Sequence, residues 1–459
     1  MSFKIDVKPG TFERLKKDKR PLHVVLIGTK PDIIKQAPLI LKLKERKENV
    51  IVVHTGQHYD WNLSKGLEQE FNIHPDINLN VRGSTLFEQH SQIIERFGSL
   101  ICKLKQINDK IIPYAYSDTT TAAAGAIASF TNRIAVAHVE AGLRTMSPPK
   151  ELTLDFLLKG IDTRSYFNKL MKSKNWTKGS YEPYPEQFDT KIAAPCTGIH
   201  LAPVELNRQN LLNEGYEKER IFVVGNPVAD AIEITKKRIK ESNIYERYPQ
   251  LDNGNFIRFC VHRRENVCSR QRFKSAIMAM EKLVKSGKNV LFISLGATER
   301  ALSEFGLHKR ISDLAKTHKN LIYSPVWPFY VDVIAAMKKC TVIATDSGSI
   351  QEEANVLGIP CATLRFNTER PETVFNGANI IVPPIREDII FKMLSDIHED
   401  KKLNRSMARV GNLYGKNVSE NIINRTNELI EKGPLFELLE HERLGFSKLY
   451  FWDKGDIKW

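Results

Sequence analysis
CTVIATDSGSIQEEA, residues 340–354, is the stretch whose reading decides the fold. Its first half, CTVIA, is a short β-branched apolar run of the kind that forms a buried parallel strand. Beyond it Ile350, Ala354 and Leu357 recur at i, i+4 and i+7, one face of a helix. Ser347, Gly348 and Ser349 therefore occupy a strand-to-helix turn. Glycine lets backbone approach a ligand closely, and the first N–H groups of a helix are free to bind an anion. Glu352 and Glu353 follow one turn later, where a carboxylate can accept two hydroxyl protons, as from a ribose. The stretch reads as a nucleotide diphosphate site. The plainer alternative is a helix cap supplied by Asp346 or Ser347.

Working outward, strand-like runs alternate with helical patterns along the whole chain, the signature of βα units and parallel sheets. The first half offers runs at 22–28, 49–55, 111–116, 133–139, 198–203 and 220–225; the second offers 256–262, 289–295, 320–325, 340–345, 359–364 and 379–384. This predicts an α/β chain of two Rossmann-like, doubly wound domains facing a central cleft, with ligands at the carboxyl ends of the strands. The expected division is an N-terminal extension at 1–21, a first domain at 22–235, a second at 236–400, and a C-terminal segment at 401–459 whose helix crosses back onto the first domain. An insertion at 146–182 interrupts the fourth βα unit, and is expected to be a lid over the site or an oligomer contact, with a disordered segment as the third reading.

The chain has 459 residues and a formal net charge of +14. Half of that excess sits in two peripheral segments. Residues 1–21 carry seven Lys/Arg against three Asp/Glu, and residues 146–182 carry seven against four. No zinc finger, RNP-like strand or basic heptad accompanies the charge, so a nucleic-acid partner is not expected. The six cysteines are scattered with no CxxC pair, which favours neither a zinc site nor a disulfide framework. No apolar run reaches the length of a membrane span and the N-terminus lacks an apolar leader core, so a cytoplasmic protein without membrane insertion is expected.

Polar motifs collect just past the strand ends. GTKPDIIK carries Lys30 and Lys35; TGQHYD carries Gln57 and His58; SDTTT carries Asp118; HVEAGLRT carries His138, Glu140 and Arg144; PYPEQFD carries Glu186; HRREN carries His262 and Arg264; TERPE carries Arg370. The first domain thus gathers carboxylates, which in a shared dry cleft can serve as acid and base. The second gathers an anion cradle able to stabilise a departing diphosphate. Taken singly, Asp118 could cap a helix, Glu140 and Arg144 could be a structural ion pair, and His138 reads as a packed core histidine.

In these words the chain closely resembles the non-hydrolysing UDP-N-acetylglucosamine 2-epimerase family. The matches GTKPDIIKQAPL, TGQHYD, SDTTT, HVEAGLRT, PYPEQFD, HLAPVELNRQNLL, GNPVADAI, VHRREN, TDSGSIQEEA, LGIPCATLR and TERPE run in family order. The resemblance implies a GT-B fold, a homodimer, a UDP-sugar substrate and no metal or nicotinamide cofactor. It implies elimination of UDP across C1–C2 to 2-acetamidoglucal and re-addition with the C2 proton on the other face. Carried over, Asp118, Glu140 and Glu186 become acid/base carboxylates, with His262 beside them. Lys30, His262, Arg264, Ser347, Gly348, Ser349 and Arg370 face the diphosphate, Glu353 the ribose, and Lys35 supports the cleft. Gln57 and His58 fall in the family's region for an allosteric second UDP-N-acetylglucosamine. Lys30 and Thr190 stand where the family usually has arginine, and Ser349 where it has glycine; a lysine supplies charge but not a bidentate fork. A hydrolysing 2-epimerase, a GT-B glycosyltransferase and a non-catalytic sugar-nucleotide binder are the rival readings.

Overall fold
The computed structural model describes residues 5–57, 65–159 and 162–432. Each run expected to be a strand is one. The first sheet is built on β1 (Leu22–Ile27), β2 (Asn49–His54), β3 (Ile111–Tyr116), β4 (Val136–Val139), β5 (Thr197–Ala202) and β6 (Ile221–Val223). β1, β2 and β3 are buried along their whole length, as strands covered by helices on both faces must be. The sheet order places β2, β1, β3, β4, β5 and β6 side by side, all parallel, with the two-residue strand Ile77–Asn78 outside β2.

The second sheet uses β7 (Phe256–Cys260), β8 (Asn289–Ser294), β9 (Leu321–Pro325), β10 (Val342–Thr345), β11 (Cys361–Thr363) and β12 (Asn379–Ile381). Their order is β9-β8-β7-β10-β11-β12, again all parallel. In each sheet the order reverses beside its first strand, between β1 and β3 and between β7 and β10. Those are the crevices where an open α/β sheet binds its ligand. The words GTK, SDTTT, HRREN and TDSGS all leave from these four strand ends.

Three segments join the halves. The helix Val418–Lys432 packs on the helix Lys30–Glu45, and Arg46 meets Glu420 at 2.7 Å. Glu70 of the first domain accepts the backbone N–H groups of Tyr330 and Val331, capping the helix Tyr330–Lys339 of the second. The third is the insertion. Its helices Lys150–Lys159 and Thr163–Lys172 place Phe156, Leu157, Tyr166, Phe167 and Leu170 in the hydrophobic core of the second domain. Phe156 and Tyr166 stack at 3.9 Å, Trp176 meets the edge of Phe375 at 5.0 Å, and Arg164 pairs with Asp400. The hairpin Met146–Ser147/Thr177–Lys178 also exchanges backbone bonds between Met146 and Thr368. The insertion is a strap from the first domain onto the second, where the sequence suggested a lid or an oligomer contact.

The N-terminal residues are likewise more than an appendage. Asp6–Val7 pairs antiparallel with Ile77–Asn78 at the sheet edge, and Leu15 of the helix Thr11–Lys17 is buried against the first core.

Candidate active site
Asp118 and Glu140 reach the cleft because the backbone turns sharply after β3 and β4. Ser117 and Glu140 both adopt the left-handed region, at φ 57° and 66°, where side chains other than glycine are disfavoured. His138, buried in β4, donates from Nε2 to the Ser117 carbonyl at 2.7 Å and braces that turn. It is the packed core histidine its position suggested, and burial pushes its ring pKa down to about 4, so it is neutral.

Glu140 is fully buried. Lys35, from the helix Lys30–Glu45, lies 2.9 Å from its Oε1, Asn226 donates to the same oxygen, and Tyr116 donates to Oε2 at 2.7 Å. Burial opposes its charge, yet Lys35 and Arg370 outweigh burial and hold the carboxyl far below the usual range. Asp118, slightly exposed, goes the other way: burial raises its pKa, and Arg370 offsets only part of that. Two carboxylates one strand apart are thus tuned in opposite directions, as acid/base work requires. Arg144 does not pair with Glu140; it forms a fork with Glu214 at 2.6 and 2.7 Å.

Glu186 opens the helix Glu186–Ala193 and is held by Arg263 across the cleft. Thr190 is buried one turn further along the same helix, its hydroxyl lacking a hydrogen-bond partner.

From the second domain, Asp346 accepts the backbone N–H groups of His262 and Arg263 and lies 3.0 Å from Nδ1 of His262. Burial would lower the imidazole pKa, but Asp346 raises it well above its ordinary value and keeps the ring cationic. Ser347 starts the helix Gly348–Leu357 without a side-chain cap bond, which leaves the first N–H groups of that helix uncapped by a side chain. A Cβ on Gly348 would stand 2.2 Å from Glu369 Oε1 and 3.3 Å from Arg370 Nη1, so a side chain there would have to displace the Glu369 carboxylate. Ser349 sits half-buried in the first turn. Arg370, 2% exposed, lies 3.5 Å from Glu140 and 3.9 Å from Asp118. Carboxylates of one domain and the anion cradle of the other therefore meet at a single guanidinium.

Not every expected residue joins them. Lys30 donates to the Trp327 carbonyl at 3.0 Å, bridging the domains. Arg264 is exposed and lies 5.8 Å over the Tyr184 ring, while its neighbour Arg263 enters the cleft. Glu353 is buried beside Tyr330, and burial raises its carboxyl. Gln57 accepts from Thr121 at 3.0 Å; His58 lies outside the described residues. Sequence reasoning missed Tyr116, Asn226, Arg263 and Glu369, and read Glu352 only, with Glu353, as an acceptor for ribose hydroxyls. Asn226 lies in the quoted word GNPVADAI, and its backbone N–H donates to the Tyr414 carbonyl at 2.9 Å, which fixes the loop that aims it.

A family model described as UDP-N-acetylglucosamine 2-epimerase matches residues 41–151 and 177–426, so its gap falls inside the strap. A UDP-N-acetylglucosamine 2-epimerase of Methanocaldococcus jannaschii is 32% identical over 372 residues, spanning 80% of this chain and 89% of its own. A putative UDP-N-acetylglucosamine 2-epimerase of Thermotoga maritima is 31% identical over 420 residues, spanning 90% and 96%. Among solved structures, the M. jannaschii enzyme in complex with UDP-GlcNAc and UDP superposes with a TM-score of 0.71 at 29% identity, covering 90% of this chain and all of that one. The Neisseria meningitidis enzyme bound to UDP-GlcNAc gives 0.72 at 26% identity, covering 89% of this chain and 100% of its own.

Proposed function
The chain belongs to the UDP-N-acetylglucosamine 2-epimerase family, and from that premise we propose that it inverts C2 of UDP-N-acetylglucosamine to give UDP-N-acetylmannosamine. In the first step a carboxylate removes the C2 proton, the C1–O bond to UDP breaks with its electron pair, and a C1=C2 double bond forms, leaving 2-acetamidoglucal. In the second step UDP adds back to C1 and a carboxylic acid delivers a proton to the opposite face of C2. The proton removed at the start is replaced at the end, so no oxidant or reductant is consumed.

The observation that carries this reading is the position of Arg370. Elimination needs a base at C2 and a cation at the leaving group a few ångströms apart. Arg370 sits beside Asp118 and Glu140 on one side and the Gly348 turn on the other. We assign Asp118, Glu140 and Glu186 to proton transfer. Arg370, His262, Lys30 and the Ser347–Ser349 turn take the diphosphate, with Arg264 at its rim, Glu353 takes the ribose, and Lys35 holds Glu140. Gln57 and His58 belong, in this reading, to a second nucleotide-sugar site. Incubation with UDP-N-acetylglucosamine in D2O tests it: deuterium enters C2 as the mannosamine epimer appears.

Among the described residues no helix is long and apolar enough to cross a membrane. We read the protein as a cytoplasmic homodimer, with domains at 22–235 and 236–400, an extension at 1–21 and a crossing segment at 401–459. Sedimentation at micromolar concentration giving one monomeric species would reject the dimer.

A further inference from the structure
The helix Gly348–Leu357 carries two adjacent carboxylates, and the reading above gives a role only to Glu353. Glu352 is 1% exposed. Its Oε1 accepts from Nε of Arg370 at 2.6 Å, and its Oε2 accepts from Nζ of Lys35. Both cations also contact Glu140. Glu352 therefore points into the charged centre of the cleft.

With Nε tied back, the rest of the Arg370 guanidinium is turned toward the helix start. Its Nη1 is buried, has no hydrogen-bond partner, and lies 3.3 Å from the space a Cβ on Gly348 would fill. Glu369 Oε1 stands 3.3 Å and Asp118 3.9 Å from Nη1, ion-pair contacts longer than a charged hydrogen bond, while the other Glu369 oxygen is engaged by Arg365 at 2.6 Å. A buried N–H donor that makes no hydrogen bond within the fold, beside uncapped helix N–H groups, is placed to receive an anionic ligand.

We propose, resting on the reaction above, that Glu352 is a positioning residue: it fixes Arg370 so that Nη1 faces the diphosphate and Nη2 stays against Glu140, while its second oxygen holds Lys35 against Glu140. An arginine side chain has many rotamers, and a charge already aimed need not be reorganised as the leaving group departs.

A double-mutant cycle on UDP binding, measured by calorimetry, tests this. Arg370→Ala should weaken UDP by about 100-fold and Glu352→Ala by about tenfold. The double variant should bind within about threefold of Arg370→Ala alone, because Glu352 acts through Arg370. Glu352→Gln keeps an acceptor opposite Nε–H and should recover most of the affinity. Should the alanine variant fail to fold, Glu352→Asp takes its place in the cycle, since the shorter carboxylate falls short of Nε. Losses that simply multiply, or a glutamine variant no better than alanine, overturn the proposal. UDP binding requires no turnover, which separates two failures. Protein that binds UDP but exchanges no C2 proton refutes the reaction and leaves the cycle to judge Glu352. Independent losses alongside normal exchange refute Glu352 and leave the reaction standing.

Discussion

Glu140→Gln is the substitution that weighs most heavily on the account. The carboxylate lies 2.9 Å from Lys35 and 3.5 Å from Arg370. At an effective dielectric of about 20, those contacts correspond to gross Coulomb attractions of roughly 6 and 5 kcal/mol. The net loss is far smaller, because Glu352 remains in contact with both cations; breaking one arm of a buried ion network costs about 3 kcal/mol. The variant should therefore fold, with a lower denaturation midpoint. Turnover should fall by about 10²–10⁴, the range for loss of a general acid or base, while UDP affinity stays within about threefold. The pH signature follows from the direction of the shift. A carboxylate held below its ordinary pKa stabilises the fold at pH values above that ordinary pKa, and the stabilisation is lost as pH falls toward the folded value. The stability gap between wild type and variant should be full at neutral pH and close under acid. Steady-state kinetics, UDP calorimetry and denaturant titration across pH check all three. If UDP affinity falls in step with turnover, or turnover does not change, Glu140 has no place in the chemistry.

Other perturbations address the remaining parts. Phe156→Ala removes a ring stacked on Tyr166 in the core of the second domain and should cost about 3 kcal/mol of unfolding free energy; a variant as stable as wild type would mean the strap is not part of that core. Gly348→Ala places a methyl group against Glu369, whose carboxylate Arg365 holds in place. It should weaken UDP at least about tenfold, roughly 1.4 kcal/mol, with little change in melting temperature. Asp346→Asn withdraws the charge that keeps His262 protonated. A cation held above its ordinary pKa stabilises fully below about pH 6.5 and loses that contribution as pH rises through the folded value. The difference in melting temperature from wild type should thus be greater at about pH 6 than at about pH 9; a constant difference would show that only the backbone bonds to Asp346 matter.

The sheets were legible because most strands, β1 to β3 above all, are apolar runs buried along their length, a pattern that can be read without knowing distant contacts. The cleft followed, since motifs at strand ends must meet at the switch point of a doubly wound sheet. What stayed hidden depends on partners far along the chain. Phe156 and Trp176 look like surface residues of an insertion until Tyr166 and Phe375 are known to cover them. The edge strand Asp6–Val7 is too short to show a period. Adjacent helical residues point about 100° apart, so a pattern that places Glu352 and Glu353 on one helix cannot say which faces the cations. For the same reason HRREN does not reveal that Arg263, and not Arg264, turns inward to Glu186. Tyr116 hides inside an ordinary buried strand.

The central claim is that this cleft eliminates and re-adds UDP across C1–C2. Proton NMR of UDP-N-acetylglucosamine incubated with the protein in D2O tests it in one spectrum. The account predicts loss of the C2 proton signal by exchange with deuterium and growth of UDP-N-acetylmannosamine, with the total of UDP-sugars constant. An unchanged C2 signal contradicts it, as does free UDP accumulating in step with free N-acetylmannosamine.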